Sequence, residues 1–188
     1  MITPDSVFNE LNKSIMSALE TYSNVHRGTG QYSQLTTHLY EKARCIVLES
    51  QGLKKGKYMV VFCSGRRVDA FCSQLPDGGY KLLKSSDLGL SLGVNALIIP
   101  KGIHKKIRHT DTGGGNTLLY GPNWVIWAGM PERFEAGTPA VINVIAFAKA
   151  LKMCAQYGYD IFCKSRWANQ STQEIIKQCI SHKTNDLA

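Results

Sequence analysis

Long apolar runs are scarce in this sequence of 188 residues. The longest, residues 141–151, is interrupted by Asn143 and Lys149 and is therefore too short to span a membrane. The first five residues lack the charged region and the apolar region of a secretory signal peptide. We therefore expect a cytoplasmic protein that has no membrane partner.

Cysteine pairs and familiar catalytic motifs are also missing. None of the six cysteines forms a C-x-x-C pair or has a histidine at zinc-finger spacing, so reduced thiols and no metal site are predicted. The sequence lacks a G-x-G-x-x-G after a strand, a Walker A motif, a G-x-S-x-G and an H-E-x-x-H. These absences argue against the dinucleotide-binding, P-loop, α/β-hydrolase and zincin classes.

Acidic residues are fewer than basic ones: the sequence has 14 Asp and Glu and 22 Lys and Arg, which give a net charge of +8. This excess permits binding to an acidic partner. The densest basic cluster, residues 101–109, contains no Phe, Tyr or Trp and lies between two strand-like segments. A solvated loop is therefore favoured over a nucleic-acid surface.

The hydrophobic pattern predicts an α/β fold. Apolar residues at helical spacing indicate helices over residues 6–22, 35–50, 66–75, 138–157 and 159–181. Apolar runs predict strands over residues 58–63, 80–83, 95–99 and 124–128, in a sheet covered on both faces. We expect one domain over residues 1–157, and a helical extension over residues 158–188 that leads into a further domain.

The segment Arg-Phe-Glu-Ala-Gly-Thr-Pro at residues 133–139 is the strongest candidate for a site. Thr138 is a favourable N-cap, and Pro139 a favourable first residue, for the helix that follows. Backbone N–H groups and the dipole at such a terminus attract anions, and Arg133 could hold a carboxylate or phosphate there. The alternative for Arg133 is a structural ion pair with Glu132 or Glu135.

Two glycine-containing turns supply further candidates. His26 and Arg27 lie in a loop before the second predicted helix. They could contribute to an anion pocket or a subunit interface, or lie on an ordinary exposed loop. Arg66 follows Ser-Gly at the end of the strand predicted over residues 58–63, and such a turn can present free N–H groups to a phosphate. A surface turn is the alternative there.

Taken in order, these segments resemble the class V aminotransferases, and within them the cysteine desulfurases. The resemblance rests on residues 24–28, 39–48, 58–63, 93–99, 113–115 and 133–139, and it covers most of residues 20–152. It implies the fold type I architecture of pyridoxal phosphate proteins, here as a partial sheet packed by helices with a helical C-terminal segment. It also implies a homodimer with sites at the subunit boundary, and Arg133 as the residue that binds the substrate carboxylate.

The catalytic parts of that family have no counterpart at the matching positions. Asp87 stands where the resemblance places the lysine that binds the cofactor, and Lys84 lies three positions early. Residues 71–84 form an interval too short for the region that holds the cofactor ring. Residues 116–132 contain no cysteine for the desulfurase nucleophile. Because the cofactor supplies the electron-sink chemistry, we expect this chain alone to hold no pyridoxal phosphate and to be inactive.

Three hypotheses follow. The first is a non-catalytic domain, the N-terminal portion of a larger pyridoxal phosphate-dependent protein, which serves dimerisation or regulates a downstream catalytic domain. The second is a module that binds a small carboxylate or a phosphate through Arg133, Thr138, His26, Arg27 and Arg66. The third is an active transferase or desulfurase whose catalytic lysine lies in a segment outside this sequence.

Overall fold

The computed structural model describes residues 2–26, 28–103, 107–108 and 113–165. The regular elements in these ranges are, in chain order, α1 (Pro4–Glu20), α2 (Gln31–Ser50), β1 (Tyr58–Cys63), α3 (Gly65–Cys72), β2 (Lys81–Lys84), β3 (Asn95–Pro100), β4 (Thr117–Gly121), β5 (Trp124–Trp127) and α4 (Val141–Tyr157). Within these ranges, the short 3-10 turns Ser85–Leu88 and Glu132–Phe134 precede β3 and α4.

The larger sheet is antiparallel and has the strand order β1–β3–β2. Side chains alternate between its two faces, as the pleat requires. One face packs against the core formed with α1, α2 and α4, through Val60, Phe62, Ala96 and Ile98. The opposite face packs against α3 and the turn before α4, through Met59, Val61, Leu97 and Ile99. The predicted sheet with two covered faces is thus confirmed, in antiparallel form.

Three helices form the layer beneath the sheet. Their largest side chains, including Phe8, Tyr40 and Phe147, have no exposed surface. A capping box between Thr3 and Ser6 begins α1, with Pro4 at the first helical position. The apolar stripes of α1 and α2 both pack on α4, which is the most buried helix of this layer. This layer supports the sheet on which the candidate site is built.

The predicted start of the last helix is wrong. Thr138 is not the N-cap: α4 begins at Val141, its N-cap is Ala140, and no side chain caps it. The Val141 N–H donates to the Pro139 carbonyl at 2.9 Å, which closes a tight turn before the helix. The buried apolar face starts at Val141 and continues at Val144, so tertiary packing rather than the Thr-Pro pair sets the boundary.

Two further differences concern the second half of the chain. The sequence pattern missed β4, which pairs with β5 in a separate antiparallel hairpin. The helix predicted from residue 159 is replaced by turns up to residue 165, because Gly158 at φ 108° ends α4 and Phe162 folds back onto Phe8. Residues 166–188 lie outside the described residues, so the rest of the predicted extension, and the domain division after Tyr157, stay predictions.

None of the helices in the described ranges is both long and apolar enough to cross a membrane. The basic cluster falls partly outside those ranges as well, since residues 104–106 and 109 are not described.

Candidate functional site

A buried ion pair joins α2 to the segment that precedes α4. Arg44 and Glu135 are only 5% and 8% exposed. The two guanidinium nitrogens Nη1 and Nη2 donate to the two carboxylate oxygens of Glu135 at 2.7 and 2.8 Å. Tyr40, one helical turn before Arg44, donates its hydroxyl to the same carboxylate at 3.1 Å. The geometry is bidentate, the strongest form of such a pair.

The same pair satisfies the outer edge of β1, the side that faces away from β3. Arg44 Nη1 donates to the Val60 carbonyl at 2.7 Å, and the Phe62 N–H donates to Glu135 Oε1 at 2.6 Å. Side chains thus supply the partners that a neighbouring strand would supply elsewhere. Burying these backbone groups without partners would be costly, so the ion pair and the strand edge stabilise each other.

Burial and charge set the protonation of this cluster. Burial raises the pKa of the Tyr40 hydroxyl far above its ordinary value, and the Glu135 charge raises it further. Burial lowers the pKa of Arg44, but the charge and hydrogen bonds of Glu135, together with Tyr40 and Glu41, raise it, and the net shift is upward. Tyr40 is therefore neutral and Arg44 charged at all moderate pH values. Neither Tyr40 nor Arg44 is poised to exchange a proton, which indicates a structural role for these two residues.

A cavity of about 300 Å³ opens where β1 ends and α3 begins. Ser64, Arg67, Gly93 and Thr138 are among its lining residues, and Glu135 lies at its inner end against β1. Ser64 is the N-cap of α3 but makes no side-chain capping bond, so the first N–H groups of that helix are left for other acceptors. A guanidinium, hydroxyl groups and helix N–H groups together suit a small anion.

Cys63 lines the same cavity. Burial raises the pKa of its thiol to about 12, and the Glu135 charge contributes to the rise. The thiol is therefore protonated near neutral pH. Because the thiolate is the nucleophilic form, this cysteine is poorly suited to attack a substrate.

The predicted site residues do not all meet. Thr138 lines the cavity together with Arg67, whereas Arg66 is exposed and Arg133 is not among the described residues that line it. Arg133 is half-buried, its guanidinium lies 5.8 Å from the Phe134 ring, and its Nε atom has no hydrogen-bond partner in the described part of the chain. A binding role for Arg133 stays a prediction.

The proposed ion pairs of Arg133 are not formed within the described ranges, because Glu135 pairs with Arg44 instead. His26 lies in the loop before α2, with Nε2 3.5 Å from Glu41 Oε1. Arg27 lies outside the described residues. Of the predicted residues that the structure describes, Thr138 lines the cavity beside α3, and His26 is not among the residues that line it. A joint binding role for the predicted residues stays a prediction.

Sequence reasoning missed the partnership of Arg44 and Glu135, although one signal was available. Arg44 falls on the apolar face of α2, one position after Ala43 and three before Val47. A charged residue on a buried helical face requires a buried partner. Glu135, flanked by an aromatic residue and by alanine, is the acidic residue that meets this need.

The residues of the cavity do not fit pyridoxal phosphate. No lysine is among the described residues that line it, so none can bind the carbonyl carbon of that cofactor there. Asp87, where the resemblance would place the family's lysine, is exposed, and its carboxylate accepts the backbone N–H of Lys84 at 3.0 Å. Lys84 itself ends β2 and is also exposed.

Comparisons with known proteins agree with the fold. The family model described as Aminotransferase class-V matches residues 91–185, which is half of the chain. Probable cysteine desulfurases of Staphylococcus aureus strains Mu50 and N315 are each 28% identical to this chain over 86 residues, which is 46% of this chain and 19% of theirs. The match thus spans about a fifth of the length of these curated relatives.

A solved structure supports the same architecture. The apo structure of a cysteine desulfurase from Thermococcus onnurineus NA1 superposes with a TM-score of 0.60 and 17% sequence identity. The superposition covers 85% of this chain and 66% of the other. The fold of this chain therefore resembles that of a cysteine desulfurase.

Proposed function

The chain belongs to the aminotransferase class V family, and from that premise we propose that it is a non-catalytic, cysteine desulfurase-like domain that self-associates. In a larger pyridoxal phosphate-dependent protein, its role would be to pair subunits or to regulate the catalytic domain. One observation supports the proposal that the domain is non-catalytic. The cavity beside β1 and α3 is lined by arginine, hydroxyl groups and a protonated thiol, and none of its described lining residues is a lysine.

The test of inactivity uses the cofactor directly. The protein is mixed with pyridoxal phosphate, reduced with borohydride, digested and analysed by mass spectrometry, and sulfide release from cysteine is measured in parallel. We expect scattered, substoichiometric labelling of surface lysines and no sulfide above background. Stoichiometric labelling of one lysine, with sulfide release, would contradict the proposal.

The hairpin of β4 and β5 supports the proposal that the chain self-associates. Large apolar side chains are exposed on it, at 47–81% of their surface: Leu118, Leu119, Tyr120, Trp124 and Ile126. A monomeric protein rarely exposes this many large apolar side chains on one hairpin, and exposed apolar surface of this kind marks contact surfaces. A second copy of this chain is the partner that the family resemblance implies, since related enzymes act as dimers.

Sedimentation over a range of protein concentrations tests this. We expect the wild type to associate reversibly, and Tyr120→Ser combined with Ile126→Ser to shift the protein to monomer. Tyr32→Ser is the matched control, since Tyr32 is 59% exposed but lies on α2 rather than on the hairpin. A monomeric wild type, or an equal loss with Tyr32→Ser, would remove the hairpin as an interface.

The second candidate function is binding of a small carboxylate or phosphate in the cavity beside α3. The observation that favours it is that Arg67 and Thr138 line the space at the start of that helix. Adjacent arginines provide a matched pair, because Arg66 is exposed and does not line the cavity. Calorimetric titration with inorganic phosphate and with succinate should show weaker binding for Arg67→Gln.

The expected loss for Arg67→Gln is about 1.5–3 kcal/mol, the usual value of a hydrogen bond to a charged group. Arg66→Gln should bind as the wild type does. Arg133→Gln adds a third arm, because it tests the family's carboxylate arginine in the same titration. Equal losses for Arg66→Gln and Arg67→Gln would indicate only a general charge effect.

A further inference from the structure

We propose that His26, Glu41 and Glu132 form a binding site for Zn²⁺ or a similar divalent transition metal. One potential ligand atom from each of the three residues lies within 4.8 Å of the other two. They come from three segments that are distant in sequence: the loop after α1, the middle of α2 and the 3-10 turn before α4. The proposal is independent of the functions proposed above, since none of the three residues lines the cavity beside α3.

The donor set and its spacing match the chemistry of zinc. Zinc takes imidazole nitrogen and carboxylate oxygen at about 2.0–2.2 Å, so two ligands in a tetrahedral shell are about 3.4 Å apart. His26 Nε2 and Glu41 Oε1 are already 3.5 Å apart. Glu132 is the third ligand, and rotation of its flexible side chain closes the remaining distance. Three protein ligands leave one position for water or a ligand atom.

The neighbouring residues hold the ligands in place. The backbone N–H of His26 donates to Thr37 Oγ1 at 3.0 Å, and its ring packs edge-on against Tyr40. Arg44 Nε donates to Glu41 Oε1 at 2.9 Å and orients that carboxylate. Such outer contacts fix ligand geometry in known metal sites.

The charge balance favours a cation despite the nearby guanidinium. Arg44 is neutralised by its bidentate pair with Glu135. Glu41 and Glu132 then contribute two carboxylates beside the His26 imidazole, and their negative charge would be balanced by a divalent ion. Both carboxylates also line a second cavity of about 310 Å³, which gives an ion and its waters a route of entry.

Lysines are the competing partners of these carboxylates, since Lys55 and Lys101 line the same cavity. Cys45 lines it too, and a thiolate is a strong zinc ligand. A test must therefore separate the proposed ligand set from a site built on Cys45.

Equilibrium dialysis of the full chain with Zn²⁺ alone, with the metal quantified by emission spectroscopy, provides the test. We expect one ion per chain, and at least a roughly tenfold loss of affinity for Glu132→Gln and for His26→Ala, since even outer-contact changes commonly cost that much. Glu49→Gln and His38→Ala are matched controls, being exposed residues of the same two types on α2, and both should bind as the wild type does.

Replacement of the metal by Co²⁺ gives a second readout. The wild type should show visible ligand-field bands without a thiolate charge-transfer band, and Cys45→Ser should leave the spectrum unchanged. Loss of binding in Cys45→Ser, or unaltered binding in Glu132→Gln with native circular dichroism, would overturn the proposal. Failure of the wild type to retain Zn²⁺ would overturn it as well.

Discussion

The three-stranded sheet and the β4–β5 hairpin are built from similarly apolar strands and end in opposite environments. In β1 and β3 nearly every residue is buried, because helices cover one face of the sheet and α3 covers the other. The strands of the hairpin have no fully buried residue. The apolar character of a strand in this chain therefore does not show whether the strand lies in the core or on a contact surface. Its burial depends on which other elements pack against it.

The largest expected effect comes from breaking the ion pair that covers the sheet edge. Glu135→Gln leaves the buried Arg44 charge without its carboxylate and weakens the bond to the Phe62 N–H. We expect the free energy of unfolding, measured by urea titration, to fall by about 3–5 kcal/mol. Glu49→Gln, an exposed change on α2, should stay within about 0.5 kcal/mol of the wild type. A small loss for Glu135→Gln would mean that the pair is dispensable.

Truncation of one leucine in each region tests the comparison directly. Leu97 in β3 has no exposed surface, so Leu97→Ala should cost about 2–5 kcal/mol of unfolding free energy. Leu118 in β4 is 66% exposed, and Leu118→Ala should change the stability of the monomer by less than about 0.5 kcal/mol. The measurement is thermal and urea unfolding at low protein concentration, where association of the hairpin does not contribute. Equal costs would refute the distinction between the two regions.

A pH dependence follows from Cys63 on β1. Burial raises the pKa of its thiol from the ordinary value near 9 to about 12, so the folded state keeps the proton after the unfolded state has lost it. The contribution of the protonated Cys63 thiol to folding stability is fully present below pH 9 and is lost as the pH rises toward 12. Between pH 8 and pH 10 the free energy of unfolding should fall by about 1.4 kcal/mol from this cause.

Unfolding of the wild type and of Cys63→Ala across this range isolates the effect, because the slope with pH should be steeper for the wild type. Cys163 is exposed, and alkylation at pH 8 should modify it long before Cys63. Parallel slopes, or fast alkylation of Cys63 in the folded protein, would contradict the stated direction of its shift.

The smallest effect distinguishes a real helix cap from an apparent one. Thr3 caps α1 through its hydroxyl, so Thr3→Ala should cost about 1 kcal/mol. Thr138 lies three residues before α4 and makes no capping bond, so Thr138→Ala should cost less than about 0.5 kcal/mol. A loss of about 1 kcal/mol of unfolding free energy for Thr138→Ala would instead support Thr138 as the N-cap of the last helix, as the sequence predicted.

Local pattern was sufficient for the elements whose burial matches their composition. The strand over residues 58–63 was predicted at its observed bounds, and α1 and α2 within a few residues. The pattern failed at β4, whose exposed apolar residues carry no alternation, and at Thr138, where the buried face of α4 overrides a favourable cap.

The candidate site was less predictable than the fold, because its parts meet only through long-range contacts. Arg44 and Glu135 are 91 residues apart, and no spacing rule connects them. The family resemblance predicted Arg133 as the central residue. In the structure the central contacts are made by Glu135, two positions later. The relation of His26 to Glu132 is likewise visible only when the loop, α2 and the 3-10 turn are folded together.

The separation of Arg44 from Glu135 has a consequence for how the chain is made. A ribosome releases α2 and β1 long before residue 135, so the outer edge of β1 emerges without the carboxylate that later occupies it. During that interval the Phe62 N–H has no carboxylate to donate to and is open to the carbonyl of an extended peptide, and a nascent neighbour can add to the sheet. Emergence of Glu135 from the ribosome ends this exposure, so a translational pause before Glu135 has emerged should favour aggregation, and a later pause should not.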